Sequence, residues 1–92
     1  MSNIISQSIL VKGKVQGVFF RASTLVEAEK LSLTGLVKNQ PDGNVYIEVY
    51  GEEPKILDFI AWCQEGPQFA RVDAVTVEDI EFKEMKKFVI AY

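Results

Sequence analysis

The stretch GLVKNQPDGNVYIEVY, residues 35–50, predicts a β-hairpin and decides the fold. Its strands are 35–39 and 44–50. The turn comes from 40–43, where Pro41 presets φ and Asp42-Gly43 tolerates a positive φ. The second strand alternates, with Val45, Ile47 and Val49 directed inward and Tyr46, Glu48 and Tyr50 directed outward. We therefore expect one face of the hairpin to be exposed to solvent.

A helix is predicted on each side of this hairpin. The helix before it, residues 21–31, is amphipathic, and its inward face holds Thr24, Leu25, Ala28 and Leu31. The helix after it begins near Pro54, a residue favoured at a first helical position, and ends at Gly66-Pro67. Its apolar residues recur at helical spacing, namely Ile56, Phe59, Ile60 and Cys63.

Three further segments complete the pattern. Residues 7–13 are predicted as a buried strand, 72–82 as the last long strand, and 88–92 as a short terminal strand. The order is β-α-β-β-α-β with a terminal extension. This order is typical of the ferredoxin-like α+β sandwich, an antiparallel sheet with two helices on one face.

Length and composition limit the possible functions. The 92 residues predict a single domain, 1–92, and a hydrophobic content of 48% with 25% charged residues is that of an ordinary soluble protein. The formal charge of −3 disfavours nucleic acid as a partner. No secretory signal and no apolar run of membrane-spanning length is evident, so we expect a cytoplasmic protein without a membrane partner. A monomer is expected.

The predicted topology brings two segments to one edge of the sheet. The strands before and after the first helix run parallel, because a helical crossover returns the chain to its starting edge. The loop 14–20, leading into Arg21, therefore shares an edge with Asn39, the last residue of the second strand. A third strand lies between them, which leaves about 9–10 Å between the two strand axes. That gap fits a small tetrahedral anion and a water molecule.

The loop has the residue types of an anion cradle. Its glycines allow successive amides to turn inward, and the following helix adds unpaired N–H groups and the positive end of its dipole. Arg21 offers a planar fork of donors to two phosphate oxygens. On the residues alone, a strand-to-helix turn with two glycines is more often only a tight turn, and Asn39 is more often a turn residue.

Two longer motifs resemble the signatures of the acylphosphatase family. The run VKGKVQGVFFR, residues 11–21, matches every fixed position of aliphatic-x-Gly-x-Val-Gln-Gly-Val-x-Phe-Arg. The run GLVKNQPDGNV, residues 35–45, closing at Gly51, resembles the second signature. Shorter matches to the family pattern occur at Gly66-Pro67, at 70–73 and in the terminal Phe88-x-Ile90-x-Tyr92. The resemblance covers nearly the whole chain.

The resemblance implies a reaction and assigns residues to it. Acylphosphatases are small ferredoxin-like enzymes that hydrolyse the carboxyl–phosphate bond of acyl phosphates, with no metal, cofactor or covalent intermediate. By similarity, Arg21 binds the phosphoryl group and Asn39 orients the attacking water. The phosphate cradle is formed by the amides of Val15, Gln16, Gly17, Val18, Phe19 and Phe20. Inorganic phosphate is then expected as product and inhibitor.

The absence of histidine from the sequence agrees with this chemistry. A general base near neutral pH is missing, and one cysteine with no carboxylate cluster at ligand spacing predicts no metal site. An acyl phosphate still reacts, because its carboxylate leaving group needs little protonation, so positioning and charge stabilisation suffice.

Several residues have structural interpretations. Gln16 is expected to bond loop backbone, Asp42 to serve the turn, Trp62 to be partly buried packing and Cys63 to be inert core. Helix capping is expected of Ser23 and Thr24, and Thr24 has capping-box spacing with Glu27.

Lys12 and Lys14 suit either substrate steering or a solvated strand end. Leu36 replaces an aromatic residue usual in the second signature, and it is expected on the strand face opposite Asn39.

Two other functions stay open. The first is an RNA-binding module that uses the outward-facing Tyr46 and Tyr50. The negative net charge and the lack of an RNP1 pattern argue against this function. The second is a catalytically slow binder of phosphate or carbamoyl phosphate, related to the acylphosphatase-like domains of larger maturation proteins. The presence of both Arg21 and Asn39 favours an enzyme.

Overall fold

The computed structural model describes residues 3–92, so the first two residues of the predicted domain lie outside it. Five strands and two helices follow one another in the predicted order. The strands are β1 (Ile4–Lys14), β2 (Thr34–Asn39), β3 (Val45–Glu52), β4 (Arg71–Asp79) and β5 (Phe88–Ile90), and the helices are α1 (Phe20–Lys30) and α2 (Glu53–Glu65).

The strands form one sheet in the order β4-β1-β3-β2-β5. β3 lies between β1 and β2, as the ferredoxin-like prediction requires, so the end of β1 and the end of β2 share an edge. The prediction of an antiparallel sheet is wrong at one position. β5 pairs parallel to β2, with Gly35 opposite Phe88 and Val37 opposite Ile90, and the sheet is therefore mixed.

Both helices cover the same face of the sheet. The central inward residues of β1, β2 and β3 are fully buried and lie opposite one another in register, for example Ile9 with Ile47 and Val37 with Ile47. They share one apolar cluster with the buried faces of the helices. The buried residues of the helices are Phe20, Thr24 and Ala28 in α1, and Ile56, Phe59 and Cys63 in α2.

The opposite face is less exposed than the alternation of β3 predicts. Because β4 and β5 lie at the two outer edges, the segment 80–87 must cross the sheet to connect them. Along this path Phe82 meets the ring of Tyr50 edge-on at 5.8 Å, and Lys83 pairs with Glu48 at 3.6 Å. Tyr50 is consequently only 1% exposed, and the prediction that it faces solvent is wrong. This burial also removes one of the two aromatic residues proposed for RNA stacking.

The covered face carries a polar network of Tyr46, Glu48 and Tyr50, and we expect this network to make the folded state less stable at alkaline pH. Tyr46 and Tyr50 both donate their hydroxyls to Glu48, at 2.9 and 3.1 Å. Burial, and then the hydrogen bond to this carboxylate, raise the pKa of each tyrosine from 10.0 to about 12. The folded state thus retains protons that the unfolded chain releases, so the stabilisation is complete below pH 10 and is lost as pH rises towards 12.

We expect the free energy of unfolding, measured by denaturant titration, to fall between pH 10 and 12. Tyr46→Phe removes one of the two titrating hydroxyls and should make the fall shallower. An unchanged slope in this variant would contradict the assignment of the pH dependence to the network.

A second stability prediction concerns the close approach of β2 and β3. Gly35 has φ +140°, and a Cβ placed there would collide with the carbonyl oxygen of Glu48 on β3. Gly35→Ala is expected to lower the free energy of unfolding by about 3 kcal/mol or more. Gly43→Ala is the matched control, because Gly43 has φ +94° but open space around the Cβ position. Its cost should be nearer 1 kcal/mol, and equal costs would contradict the steric argument.

Candidate active site

The loop between β1 and α1 is fixed by its apolar side chains. Val15 and Val18 are 1% and 6% exposed and anchor the loop in the core. Val18 is flanked by two residues with left-handed backbone conformations, Gly17 with φ 73° and Phe19 with φ 63°. Within residues 3–92, no backbone hydrogen bond outside the helices and strands is donated by residues 15–19. The loop amides are therefore available to an anion.

The first turn of α1 continues this row of donors. The first backbone bond into the helix runs from the Ser23 amide to the Phe19 carbonyl at 3.0 Å, so the preceding helical amides have no acceptor within the helix. The ring of Phe20 packs 5.5 Å from that of Trp62, which is half-buried as predicted, and this contact fixes the helix start against α2. The free amides and the helix dipole both favour a negative charge at this point.

The predicted helix capping by Ser23 and Thr24 is wrong, because both residues lie inside the helix. The helix begins at Phe20, four residues before Thr24, and its N-cap residue Phe19 makes no side-chain cap hydrogen bond. Thr24 is fully buried one turn inside the helix, where its hydroxyl donates to the Phe20 carbonyl at 2.8 Å. This satisfies the hydroxyl within the core and leaves it unsuited to nucleophilic attack.

Gln16 ties the loop to the β2–β3 turn. Its Nε2 donates to the carbonyl oxygens of Gln40 and Asn44, at 2.8 and 2.9 Å. The turn itself is held by Asp42, whose carboxylate accepts from the Asn44 amide at 3.0 Å. The structural roles predicted for Gln16 and Asp42 are confirmed. The backbone that Gln16 bonds belongs to the neighbouring turn, however, and not to its own loop.

This tether predicts a measurable cost when it is removed. Gln16→Ala loses two hydrogen bonds and should lower the free energy of unfolding by about 1–3 kcal/mol. Activity should also fall several-fold, because the loop amides lose their fixed position. The matched control is Gln7→Ala, which removes a half-buried β1 glutamine whose Nε2 donates one hydrogen bond to the exposed Asp79 at 3.1 Å. If denaturant titration shows equal costs for the two variants, the tether does not hold the loop.

Asn39 is the last residue of β2, paired with Val45. Its Oδ1 atom is buried and has no hydrogen-bond partner among residues 3–92. A buried acceptor of this kind is costly unless something donates to it, so this atom is open to a hydrogen bond from a bound molecule. Leu36 lies three residues earlier and therefore on the other strand face, as predicted.

Arg21 lies beside the C-terminal tyrosine. Its guanidinium carbon is 5.3 Å from the centroid of the Tyr92 ring, a cation–π distance. Among the described residues Arg21 takes part in no ion pair, whereas Arg71 is paired with Asp73. The guanidinium of Arg21 therefore keeps its hydrogen-bond donors for another partner.

These groups border one cleft of about 360 Å³ at the shared edge of the sheet. It is lined by Val15, Gly17, Phe19, Phe20, Arg21, Ala22, Asn39, Ile90 and Tyr92. Of the predicted site residues, the structure thus brings together Arg21, Asn39 and four residues of the loop. The side chain of Val18 belongs to the core, and that of Gln16 is directed to the turn.

Sequence reasoning missed Ile90 and Tyr92 as parts of the cleft. The alternation of the terminal segment predicts a strand, but it does not show that this strand pairs with β2, which is distant in sequence. The available signal is the aromatic residue that ends the predicted terminal strand, in Phe88-x-Ile90-x-Tyr92. The parallel pairing of β5 with β2 is what carries Tyr92 to Arg21.

The remaining candidates lie outside the cleft. Burial, reinforced by the nearby charge of Glu27, raises the pKa of the Cys63 thiol, so the prediction of an inert core cysteine is confirmed.

Residues 3–92 hold no group of three or more His, Cys, Asp or Glu side chains placed to bind a metal ion. No helix in the described part of the chain is long and apolar enough to cross a membrane.

The sheet and the helices define a small ferredoxin-like α+β protein with a cleft lined by Arg21, Asn39 and residues of the β1–α1 loop. The family model described as Acylphosphatase matches residues 7–90. The chain belongs to the acylphosphatase family, which confirms the resemblance of the two motifs. It is a hydrolase, and its activity is the hydrolysis of acyl phosphates.

Relatives and solved structures agree with this assignment. An acylphosphatase from Aliivibrio fischeri is 49% identical over 78 residues, covering 85% of this chain and 87% of the relative. The structure of an acylphosphatase from Coxiella burnetii superposes with a TM-score of 0.94 at 40% identity, covering 97% of this chain and 94% of that chain. Full-length HypF, in a phosphate- and nucleotide-bound form, superposes with a TM-score of 0.88 at 36% identity, over all of this chain and 12% of HypF.

Proposed function

We propose that the cleft binds the phosphoryl group of an acyl phosphate on Arg21 and on the amides of residues 15–20, while Asn39 holds the attacking water. The observation that carries this proposal is the meeting of three donor and acceptor sets in one cleft. Within residues 3–92 these are an arginine without an ion pair, loop and helix amides without a backbone acceptor, and the buried Oδ1 of Asn39 without a hydrogen-bond partner. Together they match a tetrahedral anion with a water beside it.

The reaction is an in-line displacement at phosphorus. The water on Asn39 forms the new bond from its oxygen to phosphorus as the bond to the acyl oxygen breaks, and the carboxylate leaves with the bonding electrons. The proton of the water passes to a phosphoryl oxygen, so the products are a carboxylate and inorganic phosphate. Arg21 and the amides offset the charge on the phosphoryl oxygens, which is the main demand of phosphoryl transfer.

Residues 1–92 act in this proposal as a single catalytic unit and as a monomer. All the proposed groups come from one chain, and the cleft needs no residue of a second copy. Inorganic phosphate, as product, occupies the same donors and is expected to inhibit competitively. No cofactor or metal takes part in any step.

Phosphate release from benzoyl phosphate, with EDTA present, tests the proposal. We expect turnover well above the uncatalysed rate, undiminished by EDTA and inhibited by added phosphate. An aryl phosphate monoester is the matched control substrate, because its leaving group is far more basic than a carboxylate, and it should not be hydrolysed. A folded protein that fails to exceed the uncatalysed rate with benzoyl phosphate contradicts the proposal.

A phosphate-binding role without turnover is the second candidate. It is favoured by the superposition on HypF, where the matching region is a small part of a larger protein. Phosphate would then protect the fold against thermal unfolding although acyl phosphates are not hydrolysed. The same assay, combined with a melting curve in phosphate, separates the two functions.

A further inference from the structure

The cleft is larger and more apolar than a phosphoryl group requires. Its volume of about 360 Å³ is that of a site for a complete small molecule, roughly 300–1,000 Å³. Arg21 and Asn39 supply the polar side chains of its lining. Most of the other lining side chains are aromatic or aliphatic, contributed by Val15, Phe19, Phe20, Ile90 and Tyr92.

Phe19 is the most unusual of these residues. It is a large aromatic side chain held in the left-handed conformation, φ 63° and ψ 24°, and it is 77% exposed. Bulky residues seldom adopt this conformation, and keeping one there costs about 1–3 kcal/mol. Exposure means that burial of the ring does not offset this cost. The ring therefore leaves an uncovered apolar surface at the border of the cleft.

Tyr92 supplies a second exposed ring on the same cleft. One contact of its ring is with the Arg21 guanidinium at 5.3 Å, and the side chain is otherwise fully exposed. Ile90 precedes it on β5 and also borders the cleft. Two exposed aromatic rings thus stand at the entrance of a cleft whose polar groups address a phosphoryl group.

We propose that Phe19 and Tyr92 form a subsite for the acyl group, and that the enzyme prefers acyl phosphates with aromatic or extended apolar acyl groups over acetyl phosphate. This inference rests on the proposed function. The acyl group is joined to the phosphoryl group through one oxygen, so it must lie against the walls of the same cleft. In-line attack places it on the far side of phosphorus from the water on Asn39, which leaves the apolar walls to receive it.

The test is the ratio of kcat/KM for benzoyl phosphate to kcat/KM for acetyl phosphate. Effects on phosphoryl binding and on the shared chemistry cancel in this ratio. Phe19→Asn removes the ring with a residue that tolerates the left-handed conformation, so the variant should be at least as stable as the wild type. We expect the ratio to fall about 3–10-fold, the value of one lost aromatic contact. Tyr92→Leu should also lower it.

Phe69→Asn is the matched control, because Phe69 is similarly exposed, at 67%, and does not line the cleft. Its ratio should equal that of the wild type. If Phe19→Asn and Tyr92→Leu both hydrolyse the two substrates with an unchanged ratio, the acyl subsite is refuted and the proposed function stands. If the wild type hydrolyses neither substrate, both proposals fall.

Discussion

Arg21→Ala is expected to lower kcat/KM for benzoyl phosphate by about a thousandfold, the scale of removing an arginine that stabilises a phosphoryl-transfer transition state. The side chain forms no ion pair within residues 3–92, so its removal breaks no salt bridge there. Inhibition by inorganic phosphate should weaken in parallel, because product and substrate use the same donors. Both quantities follow from steady-state phosphate release.

Two variants control this result. Arg21→Lys keeps the charge but loses the planar fork, and its activity should fall between those of the wild type and Arg21→Ala. Arg71→Ala removes the other arginine of the chain, which is exposed and paired with Asp73, and should leave activity unchanged. Equal loss in Arg21→Ala and Arg71→Ala, or full activity in Arg21→Ala, would contradict the assignment of Arg21 to the phosphoryl group.

Asn39→Ala is expected to lower kcat by about 100- to 1,000-fold with little change in KM, because the water is lost while the phosphoryl donors remain. Its stability should not fall, since the Oδ1 atom has no hydrogen-bond partner in the described chain. Thermal unfolding and substrate-dependence curves measure the two expectations.

Asn44→Ala is the matched control for Asn39→Ala. Asn44 lies in the same hairpin, but its carboxamide donates to Asp42 within the turn, at 3.1 Å, and does not line the cleft. Its kcat should stay near that of the wild type. A raised KM with unchanged kcat in Asn39→Ala would instead assign Asn39 to substrate binding.

The placement of Arg21 and Asn39 could be predicted from sequence because it depends on local patterns and one topological rule. The alternation in β3, the amphipathic helices and the turn residues each report a short segment. The crossover rule then makes β1 and β2 parallel, and the end of each strand follows. Asp42 bonds the backbone of its own turn, within the reach of local reasoning, whereas Gln16 bonds a turn that is distant in sequence.

What could not be predicted depends on contacts distant in sequence. The alternation of β3 shows which residues avoid the main core, but not that segment 80–87 crosses the other face and buries Tyr50. The pattern of the terminal segment indicates a strand but not its parallel partner, so the arrival of Tyr92 beside Arg21 was missed. For Thr24, the capping-box spacing with Glu27 suggested a cap, but the helix already begins at Phe20 and the hydroxyl is buried inside it.

In the proposed mechanism, water attacks phosphorus directly in the cleft of Arg21 and Asn39. A single turnover of benzoyl phosphate in ¹⁸O-water with EDTA, followed by mass spectrometry of both products and of the intact protein, tests it most directly. We predict one labelled oxygen in the phosphate, none in the benzoate, and no phosphoryl group on the protein at any time. Label in the benzoate, or a transient phosphorylated protein, would contradict it.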